Sequence, residues 1–187
     1  MANTVDNVAV GKPAITGGLW VAPEGTTLPT DATTALAGAF KCLGYVSEDG
    51  MANSMEADTV EIKAWGGDTV YSGTNGKTVT WAGTLIEILN TDVLKTVFGA
   101  ANVTGTLSTG ITLTVNNTDP EEHVVVVETI LRGALRRVVL PKAKVTEVGT
   151  ITYADSDVVG YEATFTCMPD SSGNMQYEYT EEAPDES

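Results

Sequence analysis

Basic residues are scarce in this sequence: ten lysines and arginines stand against 25 acids in 187 residues, a formal net charge of −15. So acidic a chain lacks the cationic footprint that nucleic-acid binding needs. Apolar runs are short, and none approaches the roughly 18 residues of a membrane-spanning helix. No basic segment leads into an apolar one near the N-terminus, so no signal peptide is expected. Cysteine is limited to Cys42 and Cys167. Neither belongs to a CxxC pair, a zinc set or a Cys/His pair, and each falls on the apolar face of an alternating segment. Buried free thiols, suited to a reducing compartment, are expected over a disulfide between them.

Catalytic equipment is equally thin. His123 is the single histidine, set beside Glu121 and Glu122 with no serine or cysteine partner in a recognisable setting, and reads as a surface residue. There is no P-loop and no dinucleotide fingerprint. The acidic turns at 116–122 and 155–157 lack the ordered spacing of a calcium loop. Carboxylate pairs abound among so many acids, but composition selects none of them. The sequence therefore predicts no enzyme, no metal site and no cofactor.

What the chain does have is a well-defined segment at residues 78–99. Val79, Trp81, Gly83 and Leu85 alternate with Thr80, Ala82 and Thr84, the period of a strand. The period then changes. Asn90 or Thr91 can cap a helix over 91–98, with Asp92 near its positive end and Gly99 just past its end. Val93, Leu94, Val97 and Phe98 make an apolar stripe. Eight residues are too few to be helical alone, so the stripe is expected to dock on a sheet.

The remainder reads as that sheet. Residues 1–18 are small and polar, an arm that stays loose until it meets a partner, and 180–187 form an acidic tail. The chain reads as a single domain, 1–187, whose β core between arm and tail, 19–179, carries about nine expected strands. Strands are expected near 18–23, 40–46, 60–65, 123–131, 135–140, 145–153, 159–168 and 175–179, with weak ones near 104–107 and 111–115. Residues 132–134 form a hairpin turn and Pro141 an end or edge. Residues 47–58, with four acids in twelve positions, read as a polar mobile loop. The expected fold is mainly β: an antiparallel sandwich or open barrel with one short flanking helix.

Half of the basic residues, Arg132, Arg136, Arg137, Lys142 and Lys144, fall within thirteen positions. They are either a solvated hairpin edge held back from wrong pairing by charge, or cations that meet acids on a neighbouring copy.

Taken in order, the segments GGLWVAP, FKCLGYVSEDG, MEADTVEIKAWGG, TVTWAGTLIEILNTDVLKTVFG, RRVVLPKAKV and YEATFTCMPDSSGN resemble the major tail tube proteins of long-tailed, siphovirus-type bacteriophages over roughly residues 15–177. The resemblance implies a β-sandwich with a flanking helix, assembled as homohexameric rings that stack into a tube in the virion tail. Synthesis and assembly would take place in the host bacterial cytoplasm. Double-stranded DNA would pass through the lumen without specific binding, and the tape measure, tail tip and tail terminator proteins would be partners. It also implies that Ser47, Glu48, Asp49, Met51, Asn53, Met55, Glu56 and Asp58 reach a neighbouring subunit or ring, and that both terminal arms lie across neighbours. The alternative is a secreted carbohydrate-binding or adhesin module, for which Trp20, Trp65 and Trp81 would supply an aromatic platform.

Overall fold

A computed structural model describes residues 3–14 and 17–183. In chain order its strands are β1 (Gly11–Pro13), β2 (Leu19–Pro23), β3 (Lys41–Cys42), β4 (Ala52–Lys63), β5 (Thr69–Leu85), β6 (Val103–Thr104) and β7 (Thr112–Leu113). They continue with β8 (His123–Leu131), β9 (Ala134–Val148), β10 (Tyr161–Cys167) and β11 (Tyr177–Glu182), and the helix α1 (Thr91–Phe98) lies between β5 and β6. Nine strands form one antiparallel sheet along the path β3-β2-β8-β9-β10-β5-β4, with β1 also on β8 and β11 also on β9, while β6 and β7 pair separately. The sheet is not a closed barrel.

The β8–β9 hairpin is the spine. Arg132 at φ 47° and Gly133 at φ 88° form its two-residue turn, both in the left-handed region, as a type I′ turn requires. Ala134 already belongs to β9. The four consecutive valines 124–127 of β8 are all buried because the sheet is covered on both faces here. Val125 and Val127 face the main core, together with Val138, Leu140, Trp81, Phe165 and the helix residues Val93, Leu94 and Val97. Val124, Val126 and Val139 face a smaller layer with Ala22 and Phe40, against which Leu28, Leu36, Tyr177 and Tyr179 pack.

Four local expectations are corrected. Pro141 ends nothing: β9 runs through it, because His123 pairs with Ala143 while Val125 pairs with Leu140, and the proline sits in the resulting bulge where no donor is needed. Residues 150–153 add no strand, and the last strand runs on to Glu182, so the expected tail is partly β11. Its remainder, 184–187, lies outside the described residues, as do 1, 2, 15 and 16 of the expected arm. The rest of that arm is not wholly loose, because β1 pairs with the end of β8.

The strand-to-helix unit is built as its residues dictate. β10 lies against β5 with Phe165 opposite Trp81 and Cys167 opposite Val79, their shared face inward. Asn90 Oδ1 accepts from the Asp92 N–H at 3.0 Å, capping α1, and Gly99 N–H closes it onto the Lys95 carbonyl at φ 91°. Phe98 is half-buried and meets Tyr161 edge to face at 5.2 Å.

Candidate functional site

The largest departure from expectation lies at residues 47–76. The polar segment read as a mobile loop enters β4 at Ala52, and 69–76, outside every expected strand, belong to β5. Their ladder runs from Ala52↔Ala82 to Lys63↔Thr69, with bulges between Asp58 and Thr59 and between Ile62 and Lys63. Twelve residues at about 3.3 Å each make a two-stranded ribbon roughly 40 Å long. Every residue of β4 is exposed, as is most of β5 before Val79. The ribbon therefore stands clear of the body for most of its length. Gly66 and Gly67, at φ 130° and 101°, turn its tip.

Beyond Asp58 the ribbon is apolar on the face that does not cover its own core. Asn53 and Met55 lie opposite Trp81 and Val79, so odd positions of β4 share the core's face. Val60 and Ile62 are even positions and lie on the other face. Ile62 is opposite Tyr71, whose ring lies where a side chain at Gly73 would be. Thr59, Glu61, Ser72 and Thr74 form the polar face of the same segment. At the tip Trp65 is fully exposed, at 107%. Exposed β-branched and aromatic residues on a long edge strand are a surface waiting for another chain.

Among the residues expected to reach a neighbour, Asn53, Met55, Glu56 and Asp58 lie on β4, while Ser47, Glu48, Asp49 and Met51 form the approach to it. Asn53 bonds the Thr80 carbonyl at 3.1 Å across the ladder. The distal residues Val60, Ile62, Trp65 and Tyr71 were not among those expected. The alternation Val60-Glu61-Ile62 and the exposed tryptophan beside two glycines were the available signals.

The five clustered cations behave differently. Arg137 is buried, its Nε 2.8 Å from Glu128 Oε1 and its Nη1 2.8 Å from the Asp31 carbonyl. Asp31 also accepts the N–H groups of Thr33 and Thr34, and the second of these above all holds its carboxyl below the ordinary value. Arg137 thus pins the loop 24–40 over the smaller layer and has no surface to offer a second chain. Arg136 pairs with Glu178 on β11. Lys142 lies 2.6 Å from Glu122 and 3.0 Å from Glu24, and Lys144 lies 2.8 Å from Asp119. Arg132 donates to the Val5 carbonyl at 2.5 Å, tying the N-terminal segment to the β8–β9 turn. Four of the five, Arg136, Arg137, Lys142 and Lys144, pair with acids of their own subunit.

A second surface is the outward face of β4, β5, β10 and the end of β9. Ser54, Thr80, Thr166 and Lys144 lie in one cross-strand row, and Thr84 pairs with Glu162 in another. Glu56 faces Thr78, and Thr164 faces Glu147. The face is hydroxyl and carboxylate. Its one cation in these rows, Lys144, is neutralised by Asp119.

His123 is half-buried rather than on the surface, and burial pushes its imidazole below the usual value. Both cysteines are free; Cys167 is buried and its thiol is pushed up to about 12 by desolvation, while Cys42 is half-buried. Trp81 is buried and bonds Gln176 Oε1 at 2.8 Å, and Trp20 bonds the Gly17 carbonyl at 3.1 Å. Of the three tryptophans Trp65 alone stands fully open, so they make no platform. Among the described residues no helix is long and apolar enough to cross a membrane.

Comparison with known proteins places this geometry in a context. The family model for phage tail tube proteins matches residues 1–186. No curated protein matches. Among solved structures, the tube-terminating cap of the anti-feeding prophage is 12% identical with a TM-score of 0.40, over 96% of this chain and 99% of that one.

Proposed function

The chain belongs to the phage tail tube protein family, a family of structural proteins and not of enzymes, and from that premise we propose that it self-assembles into hexameric rings stacked as the tail tube. The tube is the conduit for double-stranded DNA. The observation that carries this reading is the β4–β5 ribbon, whose distal apolar residues Val60, Ile62 and Tyr71 are turned away from its own core and stand exposed in one subunit. A ribbon of that length left unpaired is an aggregation hazard, and regular assembly removes it.

The hydroxyl and acid face of β4, β5 and β10 suits the wall of a DNA channel. Cations there would hold phosphates through counterion release, whereas carboxylates repel them. Six copies carry a formal charge of about −90, a strong repulsive field. Tape measure, tail tip and tail terminator proteins are the expected partners, and assembly in the host cytoplasm fits the two free thiols. Electron microscopy of the purified protein across a wide concentration range tests the reading. Rings or tubes of about six-fold symmetry are the expected result, and a compact monomer throughout, even with other tail components present, overturns it.

A further inference from the structure

We propose that the hairpin tip led by Trp65 docks in a groove on a second copy of this chain, a groove of about 740 Å³ between β1 and the segment 44–51. The inference rests on the self-assembly reading and adds to it the two surfaces that meet.

The groove has the size and character of a side-chain receptor. Its lining reaches Trp81, Val127 and Val138 of the main core, and its charged members are Glu48, Asp49, Glu87 and Glu128, with the one cation Arg136 paired to Glu178. It falls within the range of pockets that enclose whole ligands. An indole buries about 150–250 Å² when covered, more than any other side chain on the ribbon can offer. Trp65 is the only fully exposed tryptophan, and it stands at the furthest point of the chain's longest projection.

Charge favours the same pairing. Glu48 and Asp49 are exposed and form no ion pair. Two residues before Trp65 is Lys63, one of the ribbon's two cations with Lys77, likewise without an ion pair. Docking would bring an unpaired cation to two unpaired acids. Ser47, which also lines the groove, has the buried hydroxyl without a hydrogen-bond partner among the described residues.

The two surfaces cannot meet within one subunit. The groove adjoins Met51, at the root of the ribbon, and the tip stands roughly 40 Å away along a continuous ladder. A tip and a groove on different parts of one molecule make a head-to-tail contact, which propagates into rings or helical tubes and does not close as a two-fold dimer.

The test uses the full chain and sedimentation velocity with electron microscopy. Trp65→Ala lies on an exposed turn and leaves the fold intact, and it should weaken self-association by about 30-fold or more, as loss of a buried aromatic anchor does. Glu48→Lys with Asp49→Lys should weaken association too, and adding Lys63→Glu should restore part of it. Mixing the Trp65→Ala chain, which retains a groove, with the Glu48→Lys/Asp49→Lys chain, which retains a tip, should give pairs that grow no further. If the unaltered chain forms rings or tubes and the Trp65→Ala chain does so equally well, the tip-in-groove contact is wrong while the tube reading stands. If the unaltered chain stays monomeric with other tail components present, both fail together.

Discussion

The two halves of β5 share one strand and obey opposite rules. From Val79 to Leu85 its alternating residues Val79, Trp81 and Leu85 are buried against Phe165, Ala163 and the helix. From Thr69 to Thr78 it carries Val70 and Tyr71 into solvent and is paired only with β4. The inner half is ordered by its own chain's core. The outer half keeps a regular ladder but no core, and its apolar residues face the wrong way to join one. The difference separates what folds the subunit from what the subunit carries outward.

Large-to-small substitution is the sharpest way to break that comparison. Phe165→Ala removes a ring that is 1% exposed opposite Trp81 and should cost roughly 3–5 kcal/mol of subunit stability. Leu94→Ala beneath the helix should cost about 2–5 kcal/mol for the same reason. Ile62→Ala on the outer ribbon should cost at most about 1 kcal/mol, the scale of a cross-strand pair. Thermal melts of unassembled protein measure all three. A comparable loss at Ile62 would mean that the ribbon is folded onto the body in solution.

The inner half was legible in sequence because every level agreed there. Strand period, cap, stripe and terminal glycine at 78–99 all pointed to one structure. The outer half was not, because residues such as Gly73, Asn75, Gly76 and the acids of β4 are poor strand formers, and solvent on both faces leaves no burial pattern to read. Backbone pairing over twelve positions overrode weak propensity. Likewise Arg137 in a run of five cations looked like surface, since nothing local reveals that Glu128 and Asp31 close over it.

Arg137 and Arg136 are sequence neighbours on opposite faces of β9 and sharpen the contrast between buried and exposed charge. Arg137→Met should cost about 3 kcal/mol, because it leaves the carboxylate of Glu128 shielded from water without its partner. Arg136→Met removes a pair whose side chains are 38% and 36% exposed, and should cost less than about 1 kcal/mol. Urea unfolding of the two variants is the direct comparison. Equal losses would show that the Arg137 pair is hydrated in solution.

Shortening the ribbon should matter less still to the fold. Replacing residues 59–75 by an Asn-Gly turn leaves Asp58 and Gly76 to close a shorter hairpin. The subunit's Tm should fall by no more than about 4 °C, the equivalent of roughly 1 kcal/mol at this length. Assembly should be lost. Normal tubes from the shortened chain would remove the ribbon from the assembly contact altogether.

The smallest expected effect concerns acid, and it divides the body itself into core and rim. Among the described residues no carboxylate is buried in the core, whereas the turn before β11 is pinned by one. Asp170 accepts from the Tyr177 hydroxyl at 2.6 Å and from the N–H groups of Ser172 and Asn174 at 2.8 and 2.9 Å. These bonds, the tyrosine's first, hold its carboxyl below the ordinary value. A carboxyl depressed in the folded state gives stability that is fully present above its unfolded pKa of about 4 and is lost as pH falls through the folded value. Asp170→Asn keeps an acceptor but discards the charge, so its Tm should lie slightly below that of the unaltered chain at pH 7. The gap should narrow below pH 4, where the unaltered carboxyl takes up its own proton. Asp31 and Asp119 are depressed as well and titrate in both chains, so the difference between the two melts isolates Asp170. A gap that is constant from pH 7 to pH 3 would mean that the turn is held by its shape and not by the charge.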